Sequence, residues 1–161
     1  MKRNQKGFSL IELLIVVAII LIIAAIAIPN LLRARMAANE SSAVGSVRTI
    51  NTAEISYFTT YGVGFAPLAS LGGAAVPCVA ALGQGCLIDN TLATGVKSGY
   101  TMDTPGVAAG TASAPTVAYT VTAIPVAVGQ SGQRSFFSDQ SGVIRYNLTG
   151  GTPTVGDLPL Q

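Results

Sequence analysis

The sequence has no histidine and no tryptophan, and only 10% of its 161 residues are charged. Histidine is the commonest general base and metal ligand, so neither a Ser-His-Asp nor a Cys-His catalytic arrangement can be built from this chain. An ordinary soluble domain carries about 25% charged residues, so much of this chain must avoid water or consist of small neutral residues. The composition favours a protein that is not an enzyme and that has no cofactor or resident metal ion.

Basic residues are also scarce outside the first few positions, where Lys2, Arg3 and Lys6 lie close together. If the chain is cut after Gly7, six basic and seven acidic side chains remain, which gives a side-chain charge of 6 − 7 = −1. A protein with that balance has no basic excess to attract nucleic acid, so no nucleic-acid partner is expected.

An apolar run occupies residues 8–28, and Glu12 is the only charged residue in it. About 20 apolar residues are enough for a helix to cross a bilayer core of ~30 Å. Because the basic residues precede the run, the positive-inside tendency predicts a cytoplasmic N-terminus and an outward-facing remainder. The pattern therefore predicts one membrane-spanning segment over residues 8–29.

Two other interpretations of this segment remain open from the residues alone. It could be a secretory signal peptide cleaved near Ala25-Ile26-Ala27, although its apolar stretch is longer than the usual 7–15 residues. It could also be an uncleaved signal anchor, but both alternatives leave Glu12 unexplained. An intramembrane carboxylate indicates function by default, and Glu12 could pair with an ammonium group created at Phe8 by cleavage. Equally, it could reach the lipid headgroups from the helix end.

The junction closely resembles the class III leader of type IV pilins and of the pseudopilins of type II secretion, through the string Lys6-Gly7-Phe8-Ser9-Leu10-Ile11-Glu12 and on to Pro29-Asn30. The resemblance covers roughly the first 35 residues. It implies that residues 1–7 are a leader removed after Gly7 by a prepilin peptidase, which then methylates the new amine of Phe8. It also implies that Glu12 supports assembly and that Pro29 bends the helix. Ser9 departs mildly from the more usual Thr.

Residues 30–61 continue as an amphipathic helix, so a single helix is expected from about Phe8 to Tyr61. Pro29 predicts a kink or a locally melted turn within it, and the alternative is a helix that ends near Ile28. Apolar residues recur at spacings of three and four, at Ala43, Val47, Ile50, Ala53, Tyr57 and Tyr61, which places them on one face. Charged residues are expected at positions away from that face, at Arg33, Arg35, Glu40, Arg48 and Glu54.

Residues 62–96 are rich in Gly and Pro and are predicted to form a loop. Cys78 and Cys86 lie in this segment, and they can form a disulfide if it is exported; the alternative is two unpaired thiols. Residues 97–161 carry β-strand patterns, with a turn sequence at residues 139–142 that predicts a hairpin. We expect an α+β fold, in which the long helix packs on an antiparallel sheet of three or four strands and residues 150–161 form a loose tail.

The resemblance implies a structural subunit of a type IV pilus-like filament that serves adhesion, motility or DNA uptake. The alternative within the same resemblance is a pseudopilin of a type II secretion system. The implied partners are further copies of the chain, the prepilin peptidase and an assembly platform. The implied location is the bacterial inner membrane before assembly, and the cell surface or periplasm afterwards. A third class, a secreted enzyme released at residues 25–27, has no catalytic residues to support it.

Overall fold

The computed structural model of this protein describes residues 8–73 and 77–160. Expectations that concern Lys2, Arg3, Lys6 and Gly7 therefore lie outside the described residues. The chain divides into two compact units, residues 1–35 and residues 36–161.

A single helix, α1, runs over Leu10–Tyr61 and includes Pro29. Because the helix is not interrupted at Pro29, the alternative in which it ends near Ile28 is wrong. One proline removes only one intrahelical donor, and the hydrogen bonds on either side of it are enough to keep the helix continuous. A bend at Pro29 remains a prediction.

A six-stranded antiparallel sheet follows in the second unit, with its strands side by side in chain order. The strands are β1 (Val96–Lys97), β2 (Tyr100–Asp103), β3 (Thr120–Pro125), β4 (Ser135–Asp139), β5 (Arg145–Asn147) and β6 (Leu158–Pro159). The expected number of three or four strands was wrong, because β1 and β6 are two residues long and too short to show an alternating pattern. The tail expected to be loose supplies β6, in which Leu158 pairs with Tyr146 of β5.

The core of the second unit joins one face of α1 to one face of this sheet. The helix contributes Ala43, Val47, Ile50, Ala53 and Tyr57, all buried, as its apolar spacing predicted. The sheet contributes buried residues that alternate along β2 and β3 and continue on β4, namely Tyr100, Met102, Val121, Ala123 and Phe136. This burial confirms the α+β architecture of a long helix against an antiparallel sheet.

The connection between α1 and the sheet is more ordered than a plain loop. It contains two four-residue helices, α2 (Leu68–Leu71) and α3 (Asn90–Ala93), which are too short to leave a helical period in the sequence. Asp89 caps α3, since its Oδ1 accepts the backbone N–H of Leu92 at 2.7 Å. The predicted disulfide between Cys78 and Cys86 is present in this connection.

The hairpin predicted at residues 139–142 is also present, and it connects β4 to β5. Asp139 Oδ1 accepts the N–H of Ser141 at 2.8 Å, and the carbonyl of Asp139 accepts the N–H of Gly142. Gly142 has a φ of 73°, which is in the left-handed region that glycine adopts without a Cβ clash. Side chain and glycine together therefore fix this turn.

Candidate functional site

The part of α1 that belongs to the first unit buries almost none of its apolar surface. From Phe8 to Leu32 the large apolar side chains are between 45% and 82% exposed. The helix is long and apolar enough to cross a membrane, and none of its most apolar stretch is buried within the chain. A continuous apolar surface of this size is rarely exposed on soluble monomeric proteins, and it marks a surface that meets lipid or other protein chains.

Glu12 lies in the first turn of α1, where it has a partner in its own chain. Its Oε2 accepts the backbone N–H of Ser9 at 2.9 Å, and the carbonyl of Ser9 accepts the N–H of Leu13 at 3.3 Å. Ser9 is thus the N-cap residue and Glu12 the third helical residue, as in one half of a capping box. A carboxylate is also favoured here by the positive end of the helix dipole.

This geometry places the Glu12 carboxylate within one turn of Phe8, the first described residue, which is 82% exposed. A carboxylate has two oxygens and room for further donors beyond the Ser9 amide. Neither headgroup contact nor pairing with an ammonium requires the Ser9 contact to break. This cap was not predicted from the sequence, although a Ser followed three residues later by a Glu, before an apolar run, is the known signature of such a cap.

Glu40 is the first of two buried carboxylates on the domain part of α1. Its Oε1 accepts the N–H groups of Gln133 and Arg134 at 2.9 and 3.1 Å, and its Oε2 contacts the Arg134 guanidinium at 2.7–2.8 Å. Burial alone raises the pKa of Glu40, but these hydrogen bonds and the Arg134 charge outweigh it and hold the pKa below its ordinary value. The cluster fastens α1 to the start of β4.

Glu54 is the second buried carboxylate, and it is fully buried. Its Oε2 accepts the N–H of Ala66 at 3.0 Å, and its Oε1 has no hydrogen-bond partner within the described residues. Burial raises the pKa of Glu54 to about 7, and the single hydrogen bond from Ala66 offsets only part of that effect. Glu54 therefore binds the segment that follows α1 through the Ala66 N–H. Its pKa is close enough to 7 for the carboxyl group to gain or lose a proton near neutral pH.

The expectation that Glu40 and Glu54 occupy positions away from the apolar face was wrong. Glu40 precedes Ala43 by three residues, and Glu54 follows Ile50 by four, so both lie on the buried face. That spacing was the available signal, but their partners are distant along the chain and could not be located from it.

A polar row beside Glu54 links α1 to the sheet. Asn51 donates to Ser138 Oγ at 2.8 Å and accepts from the hydroxyl of Tyr119 at 3.2 Å. Burial, together with the nearby carboxylates of Glu54 and Asp139, raises the pKa of Tyr119 to about 12. The Tyr119 hydroxyl therefore remains a proton donor at any physiological pH, and the row fixes the register of helix against sheet.

The disulfide closes a small loop that is fastened to α1. The tip of the loop is a turn in which Ala81 and Gln84 exchange backbone hydrogen bonds, and the N–H of Gly83 donates to the Tyr57 hydroxyl at 2.9 Å. Leu82, beside Gly83, is 64% exposed. Within residues 8–73 and 77–160, no group of three His, Cys, Asp or Glu side chains lies close enough to hold a metal ion.

Comparison with protein families identifies the N-terminal segment that contains Glu12. Residues 2–28 match the family profile described as the prokaryotic N-terminal methylation motif. The chain carries this motif. The motif includes the capped start of α1 with Glu12, and it ends one residue before Pro29.

The chain is also similar to two pilus proteins. It is 69% identical over 39 residues to the type IV wide pilus major component PilA4 of Thermus thermophilus, which is 24% of this chain and 30% of that protein. It is 42% identical over 72 residues to the type IV major pilin protein PilA of Myxococcus xanthus, which is 40% of this chain and 33% of that protein. The match thus spans about a third of each relative. No solved structure matches the chain.

Proposed function

We propose that this chain is a pilin, the structural subunit of a type IV pilus-like filament. The observation that carries the proposal is the exposed apolar part of α1, most of which lies within the methylation motif and which is followed by a folded domain. A domain of this kind cannot cover that surface itself, so the surface is available for lipid first and for other copies afterwards.

Maturation in this proposal begins with cleavage after Gly7 by a prepilin peptidase on the cytoplasmic side of the inner membrane. Hydrolysis of the Gly7–Phe8 peptide bond leaves a carboxylate on Gly7 and an amine on Phe8, which the same enzyme methylates. The methylated amine remains protonated and lies within one helical turn of Glu12. The Glu12 carboxylate then has an ammonium to pair with, either its own or that of a neighbouring copy.

Assembly moves the apolar helix from lipid into a bundle of similar helices, with an assembly platform as the expected partner in the membrane. Lipid is as apolar as leucine side chains, so hydrophobicity alone does not favour the bundle. The preference has to come from close helix packing and from charge pairing at Glu12, because an unpaired carboxylate in a low-dielectric setting is costly.

A pseudopilin of a type II secretion system shares the same cleavage and assembly chemistry. The pilus proposal is favoured because the relatives found are pilus subunits by name. Their similarity, the helix and the sheet all support a structural rather than a catalytic role. Surface fibres that disappear when the chain is deleted would support the pilus; intact fibres with lost enzyme secretion would contradict it.

The first test is the intact mass and N-terminal sequence of the protein recovered from cells. We expect a chain that begins at Phe8 and is heavier by one methyl group. A chain that begins near Ile28 would instead indicate secretory cleavage and would remove the filament helix. An uncut chain, in cells that process other prepilins, would indicate a signal anchor.

Glu12→Ala tests the assembly role separately from processing. We expect this variant to be cleaved and inserted normally but to be absent from filaments, because the pairing partner of the Phe8 amine is gone. Glu12→Gln is the matched variant, since its amide oxygen still accepts the Ser9 N–H but carries no charge. Filaments from Glu12→Gln would show that the cap, and not the charge, is what assembly needs.

A further inference from the structure

The face of the sheet that points away from α1 carries two carboxylates on either side of β3. Asp103 on β2 is the partner of Thr122, and Asp139 on β4 is the partner of Thr120. Directly paired residues on neighbouring strands point to the same face, and residues two apart on one strand also share a face. Val121, between the two threonines, is buried in the core. Asp103, Asp139 and the threonines therefore lie on the outer face.

A groove of about 540 Å³ lies on this face, with Asp139 in its wall. Its lining is mostly apolar and includes the ring of Phe137 and the side chains of Val107 and Val155. Phe137 is 7% exposed and lies outside the core cluster, so it belongs to this outer face. The groove thus offers an apolar floor with a carboxylate at its side.

Asp139 and Asp103 are the carboxylates of the domain that have capacity left for a cation. Glu40 and Asp89 are paired with Arg134 and Lys97, and both oxygens of Asp157 accept hydrogen bonds. Glu54 is fully buried. In contrast, Asp139 uses only Oδ1, for the Ser141 N–H, and Asp103 accepts only the N–H of Thr104 among the described residues.

Four arginines among the described residues have no carboxylate partner. One of them, Arg145, lies on β5 opposite Phe137, is half-buried and donates to the backbone carbonyl of Asp157 at 3.4 Å, so it is already held by its own chain. Among the described residues, Arg33, Arg35 and Arg48 are exposed and make no ion pair. Arg33 and Arg35 directly follow the apolar segment, so in a bilayer they lie at the level of the lipid phosphates. Leaving the bilayer removes that counter-charge, whereas Arg48, on the domain, is solvated before and after.

We propose that the groove beside Asp139 receives an arginine from the Arg33–Arg35 segment of a second copy of this chain. This inference rests on the proposed filament. An arginine side chain fits the chemistry of the groove, because its three methylenes cover apolar surface and its planar guanidinium stacks on aromatic rings and pairs with a carboxylate. Residues two apart on a helix point in nearly opposite directions, so only one of the two arginines enters a given groove.

The pairing replaces lipid phosphate by a protein carboxylate as the subunit leaves the membrane. Residues 36–160 carry four basic and six acidic side chains, for a net charge of 4 − 6 = −2, and Arg33 with Arg35 supplies +2. The contact therefore compensates the charge of one copy's domain with the helix of another. It also sets which part of the helix a neighbouring domain meets, which the uncharged apolar surface cannot do.

The test is a charge exchange in the full chain, measured as the fraction of the protein recovered in sheared filaments. Asp139→Asn keeps the acceptor for Ser141 and removes only the charge, and we expect about a tenfold loss of filaments. Gln130→Arg, at an exposed position on the 126–131 turn, changes the net charge equally and should assemble as the unaltered chain does. Asp139→Arg should abolish filaments, and combining it with Arg33→Asp or with Arg35→Asp should restore them in one of the two pairs.

Three results would overturn the proposal. They are normal filaments from Asp139→Asn, no rescue from either pair, or rescue only when Asp139→Arg is combined with Arg48→Asp. Folding is checked by the membrane level of each variant and by the Cys78–Cys86 disulfide on non-reducing gels. If Asp139 variants fail that check, Arg33→Glu and Arg35→Glu decide, because normal assembly of both would equally overturn it.

The proposed function itself is tested by the unaltered chain and by Glu12→Ala in the same assay. Filaments from the unaltered chain and none from Glu12→Ala support the pilin role, whatever the result for the Asp139 variants. If the unaltered chain forms no filaments, the pilin role fails; if it forms them and Asp139→Asn forms them equally, only the present inference fails.

Discussion

At the scale of single residues, two glutamates of one helix show how local donors decide the state of a buried carboxylate. Glu40 is surrounded by two backbone N–H groups and a guanidinium, and its pKa is lowered. Glu54 is buried more completely and has one donor, the Ala66 N–H, so its pKa is raised to about 7. The difference follows from the number of donors, because each hydrogen bond to the charged form offsets part of the desolvation cost.

Glu54 should make the stability of the domain depend on pH. Its pKa is about 7 in the folded chain and 4.5 in the unfolded chain, so the folded state holds the proton over the range between them. The stabilisation of the folded state by protonated Glu54 is complete below about pH 4.5 and is lost as pH rises through about 7. Its size is on the order of 1–3 kcal/mol. Glu54→Gln should abolish this loss of stability with rising pH, since the amide still accepts the Ala66 N–H and does not titrate.

The measurement is urea unfolding of the purified full chain in detergent micelles, with the disulfide intact, at pH values from 4 to 9. The quantity compared is the difference in unfolding free energy between Glu54→Gln and the unaltered chain, which cancels the contributions of Glu40 and the other groups. Tyr119, which lies near Glu54, and Asp139, which lies near Tyr119, are common to both proteins. A difference that stays constant with pH would contradict the assignment.

At the scale of secondary-structure elements, the sequence pattern predicted the features that depend only on residues close together in the chain. The apolar spacing of α1 predicted its buried face, and the turn residues at 139–142 predicted the β4–β5 hairpin. Strands of two residues, such as β6, have no period of their own and exist only because β5 is already in place to pair with them. Likewise, Glu40 meets residues 93 and 94 positions away, a relation that no local pattern contains.

The attachment of α1 to β4 through Glu40 should contribute much more stability than an exposed ion pair. Glu40→Ala leaves the Arg134 guanidinium and the N–H groups of residues 133 and 134 without their acceptor. Because the Arg134 side chain is 37% exposed and partly solvated, we expect a loss of about 2–3 kcal/mol. Lys97→Ala removes the exposed pair with Asp89 and should cost about 0.5 kcal/mol or less.

Equilibrium urea unfolding at pH 7, in the same micelles, compares these two variants directly. Lys97→Ala is the matched control, because it also removes one salt bridge, and neither Lys97 nor Asp89 belongs to α1. Equal losses in the two variants would show that the Glu40 cluster does not attach the helix to the sheet.

At the scale of the whole molecule, one chain has to be stable in two surroundings. One face of the domain part of α1 is buried against the sheet, whereas the apolar part buries almost none of its surface in the single chain. Transfer of that part from lipid to a filament gains little from hydrophobicity, because both surroundings are apolar. The shape of the helix surface must therefore discriminate between them, and small residues are where helices approach most closely.

Ala25→Leu tests this requirement, with Ile26→Leu as its control. Leucine is favoured in a bilayer, so both variants should insert and be processed normally. In the filament a larger side chain at position 25 would hold neighbouring helices apart, and overpacking of about 1–3 kcal/mol corresponds to a loss of about five- to 150-fold in filament yield. Ile26→Leu conserves volume and should assemble normally. If Ala25→Leu also assembles normally, close approach at this alanine is not what draws the helix from lipid, and the charges at Glu12 and beyond residue 32 would have to supply the preference.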